Sequence, residues 1–463
     1  VESVWLKENE KNMNSEIFRT YDIRGIADED LTDEVANNIG KAYSSYLPKT
    51  ARKICMGRDI RLSSERLKNS FVEGVLSTGI DVVDLGVVPT PILYYNVHKH
   101  HFDGGVEITG SHNPRQYNGF KLLAGKQTIY GEDIQYIRKL AEKGEFRTGK
   151  GEQTRKMVIN EYIQDIIQRV GLGKKKLKVV FDTGNGTAGP VIKKLFSQLP
   201  LTFEILFEKP DGNFPNHLPD PTVPQLLEEL IKKVKSTKSD IGIGYDGDSD
   251  RIGAVDENGN IIWGDKLLAI FSDELLKKEP GSKIICEVKC SKGLIEYIES
   301  KGGIPIMWKT GHSLIKAKMR EENALLAGEM SGHMFFGDNY FGFDDAIYAS
   351  LKLLSILSKK EKTFSQLVEE IPSYPVTPEI RVECPDSEKF RVVEEVKETF
   401  VKDYKIIDVD GIRVIFPDGW GLLRASNTQP VLVLRFEANS QEALNQIKTK
   451  FMNELKKFDF VKI

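Results

Sequence analysis

The 463-residue sequence predicts an α/β fold of three related α/β domains followed by a smaller α+β domain. Three observations carry this reading. A strand–helix–strand pattern returns three times along the chain. The C-terminal stretch breaks that pattern with strands joined by tight turns. The length exceeds what one compact core supports, and by itself points to about three domains.

The first strand–helix–strand unit begins with a strand at residues 53–57. A helix at 63–79 follows, with Leu67, Phe71, Val75 and Leu76 on one stripe and Gly79 as its stop. A second strand lies at 81–85. The same unit recurs at 178–181, 188–199 and 202–207, and again at 283–287, 292–300 and 304–308. Each is a βαβ crossover, and the spacing is too wide for the turns of a solenoid. After the proline-rich stretch 371–378, strands at 412–416, 421–425 and 431–437 are joined by Pro417-Asp418-Gly419 and Asn427-Thr428-Gln429-Pro430. A helix over 441–457 carries Leu444, Ile447, Phe451 and Leu455 on one face. The expected divisions are 1–157, 158–260, 261–372 and 373–463, with residues 1–15 a loose polar extension.

Composition excludes several classes. Hydrophobic content of 40% and charged content of 29% are those of a globular protein. A net charge of −3 gives no field for nucleic acid or an anionic membrane. The basic run Lys174-Lys175-Lys176-Leu177-Lys178 reads as a solvated edge before a strand. Cys55, Cys286, Cys290 and Cys384 form no C-x-x-C pair, and read as reduced, mostly buried thiols of a cytoplasmic protein. No signal-peptide pattern opens the sequence and no apolar run is long enough to span a bilayer.

The chemistry sits in loops. Thr109-Gly110-Ser111-His112-Asn113-Pro114 presents one serine on a tight polar loop after the strand-like 105–108. A serine hydroxyl is a weak nucleophile until activated. Asn before Pro is also good turn chemistry, and His112 reads as a residue that shapes the loop, because adjacent side chains point apart. Asp246-Gly247-Asp248-Ser249-Asp250-Arg251 follows the strand-like 240–244 and places three carboxylates at alternate positions. Such a set makes an oxygen cage for a hard divalent cation, with a serine phosphate as a further oxygen ligand. A solvated acidic turn is the rival, and the spacing does not fit an EF-hand. Together the two loops point to phosphoryl transfer, which needs positioning, a cation and donors for the phosphate oxygens. Arg424-Ala425-Ser426-Asn427-Thr428-Gln429-Pro430 offers a guanidinium, hydroxyls and an amide suited to a phosphate dianion, or forms a polar hairpin tip. In Gly328-Glu329-Met330-Ser331-Gly332-His333, Glu329 and Ser331 can face sugar hydroxyls. Gly184-Asn185-Gly186-Thr187-Ala188-Gly189 fits G-x-G-x-x-G after a strand, with Glu204 downstream, which spells a dinucleotide site. That reading leaves the serine, aspartate and arginine loops without a role.

With these motifs in this order, the chain resembles the α-D-phosphohexomutase family from about Phe18 to its C-terminus. Phe18-Arg19-Thr20-Tyr21-Asp22-Ile23-Arg24-Gly25 looks like the family's N-terminal arginine segment. Thr109 to Pro114, with Asn118-Gly119-Phe120-Lys121, looks like its phosphoserine loop. The aspartate loop resembles its metal loop, Gly328 to His333 its sugar loop, and Arg424 to Pro430 its phosphate loop. The resemblance implies a fourth domain of TATA-binding-protein-like topology and a central cleft to which each domain gives one loop. It makes the G-x-G-x-x-G turn structural. Ser249 stands where the family commonly has glycine, so a positive φ there would strain the loop.

The resemblance further implies a mutase of the phosphomannomutase/phosphoglucomutase branch. Ser111 would carry phosphate, and Mg2+ would sit on Asp246, Asp248, Asp250 and the Ser111 phosphate. A hexose 1-phosphate would become a hexose 6-phosphate through a hexose 1,6-bisphosphate, which also serves as activator. Tyr21, Lys289, His312, Glu329, Ser331, Arg424, Ser426, Asn427 and Thr428 would contact substrate, with Arg251 behind the metal loop. Lys121, Arg24 and His333 are the catalytic candidates for moving the hydroxyl proton, and the sequence does not choose among them. The expected partners are hexose phosphates alone, with the chain a monomer or weak dimer. The alternatives are a phosphoglucosamine mutase, in whose branch Gln replaces Met330 and Ala replaces Gly110 more often, and a non-catalytic sugar-phosphate sensor.

Overall fold

A computed structural model describes residues 13–426 and 429–462. The chain divides into two compact units, residues 1–159 with 211–215, and residues 160–210 with 216–463. The N-terminal extension expected over 1–15 lies mostly outside the described residues.

The first unit is built on a mixed sheet. Its strands run in the order Ile23–Ile26, Tyr117–Ala124, Gly104–Ile108, Lys53–Arg58, Asp81–Val87 and Gln153–Arg155, with the short Gln127–Thr128 beside Tyr117–Ala124. The predicted βαβ unit is present: Lys53–Arg58 and Asp81–Val87 pair in parallel, joined through the helix Ser64–Leu76. Val106, Ile108, Phe120 and Leu122 of the central strands pack on Leu67, Phe71 and Val75 of that helix and on Ile39 and Tyr43 of the helix Asp33–Tyr46. Thr32 caps the latter by accepting from Val35 N. Apolar residues at helical spacing on one side and at strand spacing on the other thus meet in one core.

The second unit holds three further sheets. The order Ile261–Ile262, Ile252–Asp256, Ile241–Tyr245, Lys178–Asp182, Thr202–Leu206 makes one, and Ile304–Trp308, Lys283–Glu287, Leu326–Gly328, Met334–Phe336 makes the next. Both contain the predicted parallel βαβ pairs, through the helices Ala188–Phe196 and Lys292–Ser300. The last sheet is wholly antiparallel, in the order Ile380–Glu383, Val431–Ala438, Gly419–Ala425, Ile412–Phe416, Lys405–Ile407. The helices Lys389–Phe400 and Gln441–Leu455 pack on it, with Phe400, Phe416, Phe436 and Phe451 in the shared core. The edge strands and the helix Lys389–Phe400 add to the expected C-terminal elements.

One rule places all four polar loops. Each connects two neighbouring antiparallel strands: Gly104–Ile108 to Tyr117–Ala124, Ile241–Tyr245 to Ile252–Asp256, Leu326–Gly328 to Met334–Phe336, and Gly419–Ala425 to Val431–Ala438. Among the described residues no helix is long and apolar enough to cross a membrane. The four cysteines are free and buried.

Candidate active site

In the first unit, Ser111 is 3% exposed and takes a left-handed φ of 49°. Two buried residues from the segment after the strand Lys53–Arg58 brace its loop. Arg61 Nη2 donates to Ser111 O at 2.8 Å and Asn113 O at 2.6 Å. Its Nη1 donates to Pro114 O at 2.7 Å and Tyr117 O at 3.0 Å. Asp59 Oδ2 lies 3.2 Å from Arg61 Nε and accepts from Thr109 Oγ1 at 2.8 Å and Gly110 N at 3.1 Å. Thr109 Oγ1 in turn accepts from Ser111 N at 2.8 Å. The buried guanidinium is balanced by Asp59 and shared among four carbonyls, which holds the loop in one shape. A Cβ at Gly110 would stand 2.5 Å from Arg61 Cζ, so this packing requires glycine there.

Ser111 Oγ and His112 Nδ1 are 3.2 Å apart, which corrects the expectation that these neighbours point away from one another. The left-handed backbone at Ser111 turns both side chains to one side of the loop.

Arg24 lies on the strand Ile23–Ile26, opposite Gly119 of the strand Tyr117–Ala124. It reaches the serine loop: Nη1 donates to Asn113 Oδ1 at 3.1 Å and Gly110 O at 3.4 Å, while Nη2 pairs with Asp22. Lys121 sits directly across from Glu107 in the antiparallel register, and both are buried. Tyr21 falls in the bend before the strand Ile23–Ile26.

In the second unit, Asp246, Asp248 and Asp250 are fully buried and offer carboxylate oxygens within 4.8 Å of one another. Asp246 Oδ1 accepts from Asp250 N at 3.0 Å and Arg251 N at 3.1 Å, which curls the loop around that carboxylate. Charges of one sign this close repel by several kcal/mol even at an effective dielectric constant of about 20. Arg251, whose Nε is 3.9 Å from Asp246 Oδ2, supplies one positive charge against three negative ones. Burial alone would lower the pKa of this guanidinium, but Asp246, Asp220 and Asp250 outweigh it and raise it. An all-oxygen, net-negative set of this kind could hold a hard divalent cation.

Ser249 takes a φ of 63°, as its position in the loop demands. Its hydroxyl is 3.1 Å from Thr187 Oγ1. Thr187 N donates to Gly247 O at 3.0 Å. The helix that starts within the G-x-G-x-x-G motif therefore points the N–H of its cap residue Thr187 at the aspartate loop, where a dinucleotide site would point such an N–H at a pyrophosphate. The motif braces the loop.

The Glu329 loop is joined to the aspartate loop. Ile252 N donates to Gly332 O at 3.1 Å, and Arg251 Nε donates to His333 Nε2 at 3.0 Å. His333 Nδ1 lies 3.7 Å from Asp250 Oδ1 and 3.0 Å from Asp344 Oδ2. The latter is an ion-pair distance without hydrogen-bond alignment. The donation from Arg251 places the imidazole proton on Nδ1. The His312 ring stacks on His333 with centroids 5.5 Å apart, and Lys316 Nζ is 2.8 Å from Asp344 Oδ1. Burial works against ionisation of Asp344, yet Lys316, His333 and His312 together hold its carboxyl well below the usual range. Burial pushes the Glu329 carboxyl up; His333 opposes the shift and Glu287 adds to it. Glu329 Oε1 accepts from Gly311 N at 2.5 Å, and Ser331 is half-buried in the turn beyond.

Glu287 is a further buried carboxylate. It accepts from Lys289 N at 3.1 Å, Thr310 Oγ1 at 2.8 Å and Met330 N at 3.2 Å. Lys289 Nζ is 3.2 Å from Glu379 and 3.6 Å from Glu287. Burial would lower its pKa, but those two carboxylates raise it. Arg424 is buried at the end of the strand Gly419–Ala425 and pairs with Asp410. Ser426 Oγ accepts from Gln429 N at 3.2 Å. Asn427 and Thr428 lie outside the described residues.

Sequence reading thus located the loops but missed Asp59, Arg61, Glu287, Asp344 and Asp410. Asp59 and Arg61 follow a strand closely, Glu287 ends one, Asp410 precedes a glycine and Asp344 precedes a helix-capping aspartate, so in sequence each is an ordinary charge near an element boundary.

Comparison with known proteins agrees with this arrangement. Four domain profiles described as Phosphoglucomutase/phosphomannomutase match the chain: alpha/beta/alpha domain I over residues 15–148, domain II over 160–259, domain III over 263–374 and the C-terminal domain over 379–454. The Phosphomannomutase/phosphoglucomutase of Pseudomonas aeruginosa is 45% identical over 445 residues, covering 96% of each chain. The Phosphoglucomutase of Neisseria gonorrhoeae is 43% identical over 446 residues, 95% of this chain and 96% of that one. A crystal structure of a phosphoglucomutase/phosphomannomutase family protein from Burkholderia thailandensis superposes with a TM-score of 0.91 at 41% identity, covering 96% of this chain and 97% of that one. With four polar loops on four sheets and matches along nearly its whole length, the chain belongs to the phosphoglucomutase/phosphomannomutase family.

Proposed function

We propose that this protein moves a phosphoryl group between O1 and O6 of a hexose, with mannose and glucose phosphates as substrates and Ser111 as the carrier. It is an isomerase, a hexose-phosphate mutase. The observation that carries the assignment of Ser111 is its loop: a nearly buried serine whose carbonyl is held by Arg61, whose preceding residues are held by Asp59, and whose hydroxyl faces His112. A hydroxyl held this way keeps one orientation through both half-reactions.

In the first half-reaction the phosphoserine gives its phosphoryl group to the free 6-hydroxyl of a hexose 1-phosphate. In the second, after the 1,6-bisphosphate has turned end over end, Ser111 recovers a phosphoryl group from O1. Arg424 holds whichever phosphate is not in transfer, with Ser426, Asn427 and Thr428. Glu329 and Ser331 read hydroxyls of the ring, with His312, Lys289 and Tyr21 as further contacts. Arg24 steadies the serine loop, and Lys121 or His333 handles the hydroxyl proton. Asp246, Asp248 and Asp250 would hold Mg2+, with the Ser111 phosphate as a fourth ligand and Arg251 behind them. When bound, the cation neutralises charge on the transferring group. Hexose 1,6-bisphosphate serves as activator by restoring phosphate to Ser111. The four working regions divide near residues 157, 260 and 372. The four free, buried cysteines favour a reducing, cytoplasmic setting.

Glucose and mannose differ at C2 alone, and a loop reading other hydroxyls accepts both. Glycine at position 110 and methionine at 330 favour these sugars over glucosamine. A coupled assay with mannose, glucose and glucosamine 1-phosphates tests the reading. Turnover of the first two, with little of the third, is expected. Turnover of glucosamine 1-phosphate alone would overturn the substrate assignment, and no turnover of any would overturn the activity.

A further inference from the structure

We infer that Asp410 is a positioning residue that makes the phosphate-reading arginine and the sugar-reading loop one mechanical unit. The inference rests on the reading that Arg424 receives the substrate's non-reacting phosphate.

Asp410 lies in a bend just before the strand Ile412–Phe416. Its carboxylate takes the Nε edge of the Arg424 guanidinium, with Nε to Oδ2 at 3.0 Å and Nη2 to Oδ1 at 3.4 Å. The edge carrying Nη1 is thereby turned away from Asp410. The bend is shaped for this contact. Gly411 takes a φ of 71°, and a Cβ there would stand 2.4 Å from Leu423 O and 2.6 Å from Arg424 Cβ. Only glycine lets Asp410 lie against the arginine's own strand.

The same Oδ2 also accepts from Thr310 N at 3.0 Å. Thr310 opens a short segment held by two more carboxylates. Its Oγ1 donates to Glu287 Oε2 at 2.8 Å, and the next residue's amide, Gly311 N, donates to Glu329 Oε1 at 2.5 Å. Glu287 also accepts from Met330 N, in the Glu329 loop itself. Short charge-assisted contacts therefore run without a break from Arg424 through Asp410 and Thr310–Gly311 to Glu329. A carboxylate accepting from both a guanidinium and a backbone amide transmits position, because neither partner can shift without unsatisfying it. A phosphate drawn onto Arg424 thus sets the segment that aims Glu329 at the sugar.

The test measures KM and kcat for hexose 1-phosphate and hexose 6-phosphate, calorimetric affinity for hexose 6-phosphate, and melting temperature. The proteins are wild type, Asp410→Ala, Asp410→Asn, Asp410→Glu, Arg424→Lys and the double variant Asp410→Ala/Arg424→Lys. Asp410→Ala should raise KM for both substrates roughly ten- to a hundredfold, the range of a charge-assisted contact, with kcat within about threefold. Asp410→Asn should lose nearly as much, because its amide presents a donor to the guanidinium. Asp410→Glu should recover part of the loss. The double variant should lose no more than about the worse single variant. A KM for Asp410→Ala within twofold of wild type would overturn the inference, as would losses that multiply in the double variant. A common fall in melting temperature and kcat for Ala and Asn, without a KM change, would make Asp410 purely structural and overturn it as well. A wild type that turns over no hexose phosphate would sink the mutase reading instead, and calorimetry would still decide the role of Asp410.

Discussion

Ser111 and Ser249 occupy corresponding places in two sheets, yet their surroundings differ. Each lies in the connection that leads from a parallel-paired strand into an antiparallel neighbour, is almost fully buried, and takes a left-handed φ, 49° and 63°. Around Ser111 the loop is braced by the side chains of Arg61 and Asp59, and the serine hydroxyl faces an imidazole. Around Ser249 the bracing comes from the loop's own Asp246 carboxylate and backbone and from Thr187, and the serine hydroxyl is itself a strut. The same turn presents a nucleophile in one case and a row of carboxylates in the other. Turn geometry therefore does not choose the chemistry; the side chains that the turn carries and packs against do.

Replacing the two serines should separate them widely. Ser111→Ala should lower mutase turnover by at least about a thousandfold, because the group that carries phosphate is gone. Steady-state kinetics without added bisphosphate measures it, and turnover within tenfold of wild type would remove Ser111 from the mechanism.

The aspartate loop should show a somewhat smaller effect. Asp248→Asn, or exhaustive chelation of wild type, should slow turnover about a hundredfold, as expected when several kcal/mol of charge neutralisation are lost. Metal titration of the variant should show weaker activation. Unchanged activity after chelation would mean that the three carboxylates serve the fold alone.

The brace comes next. Arg61→Ala leaves Asp59 buried without its cation and removes one donor from each of four carbonyls, and should destabilise the first unit by about 3–5 kcal/mol. Urea denaturation measures this. A loss under 1 kcal/mol would show that the loop holds its shape by itself.

The smallest effect belongs to Ser249→Gly. Relief of the left-handed backbone is worth about 1–2 kcal/mol. Against it stand one hydrogen bond of about 1 kcal/mol and the conformational entropy of glycine, about 0.5–1 kcal/mol. Stability should change by less than about 1 kcal/mol and turnover by less than about threefold. A loss of metal response in this variant would show that the Thr187 contact sets the cage.

How much of this was legible follows from the same contrast. The βαβ units read well because apolar periodicity switches between strand and helix within a few residues, as at Lys178–Asp182, Ala188–Phe196 and Thr202–Leu206. The polar loops read well because their chemistry is contiguous. The braces did not, because Arg61 acts across 50 residues and in the sequence is one more charge after a strand. Asp344 hides beside Asp345, which caps the helix Ala346–Lys359 by accepting from Tyr348 N. The pairing of Ser111 with His112 was invisible because it depends on a left-handed φ that serine rarely takes. The edge strands Ile380–Glu383 and Lys405–Ile407 were missed because they are short and carry charges suited to a solvated edge.

The central claim is that Ser111, and not the similarly placed Ser249, carries the phosphoryl group. Peptide mass spectrometry of active protein, treated with glucose 1,6-bisphosphate and then with excess hexose phosphate, tests it directly. The account predicts phosphate on the peptide containing Ser111, present after the first treatment, still there during turnover and absent from Ser111→Ala. Phosphate on the Ser249 peptide, or turnover with no phosphorylated serine at any stage, would contradict it.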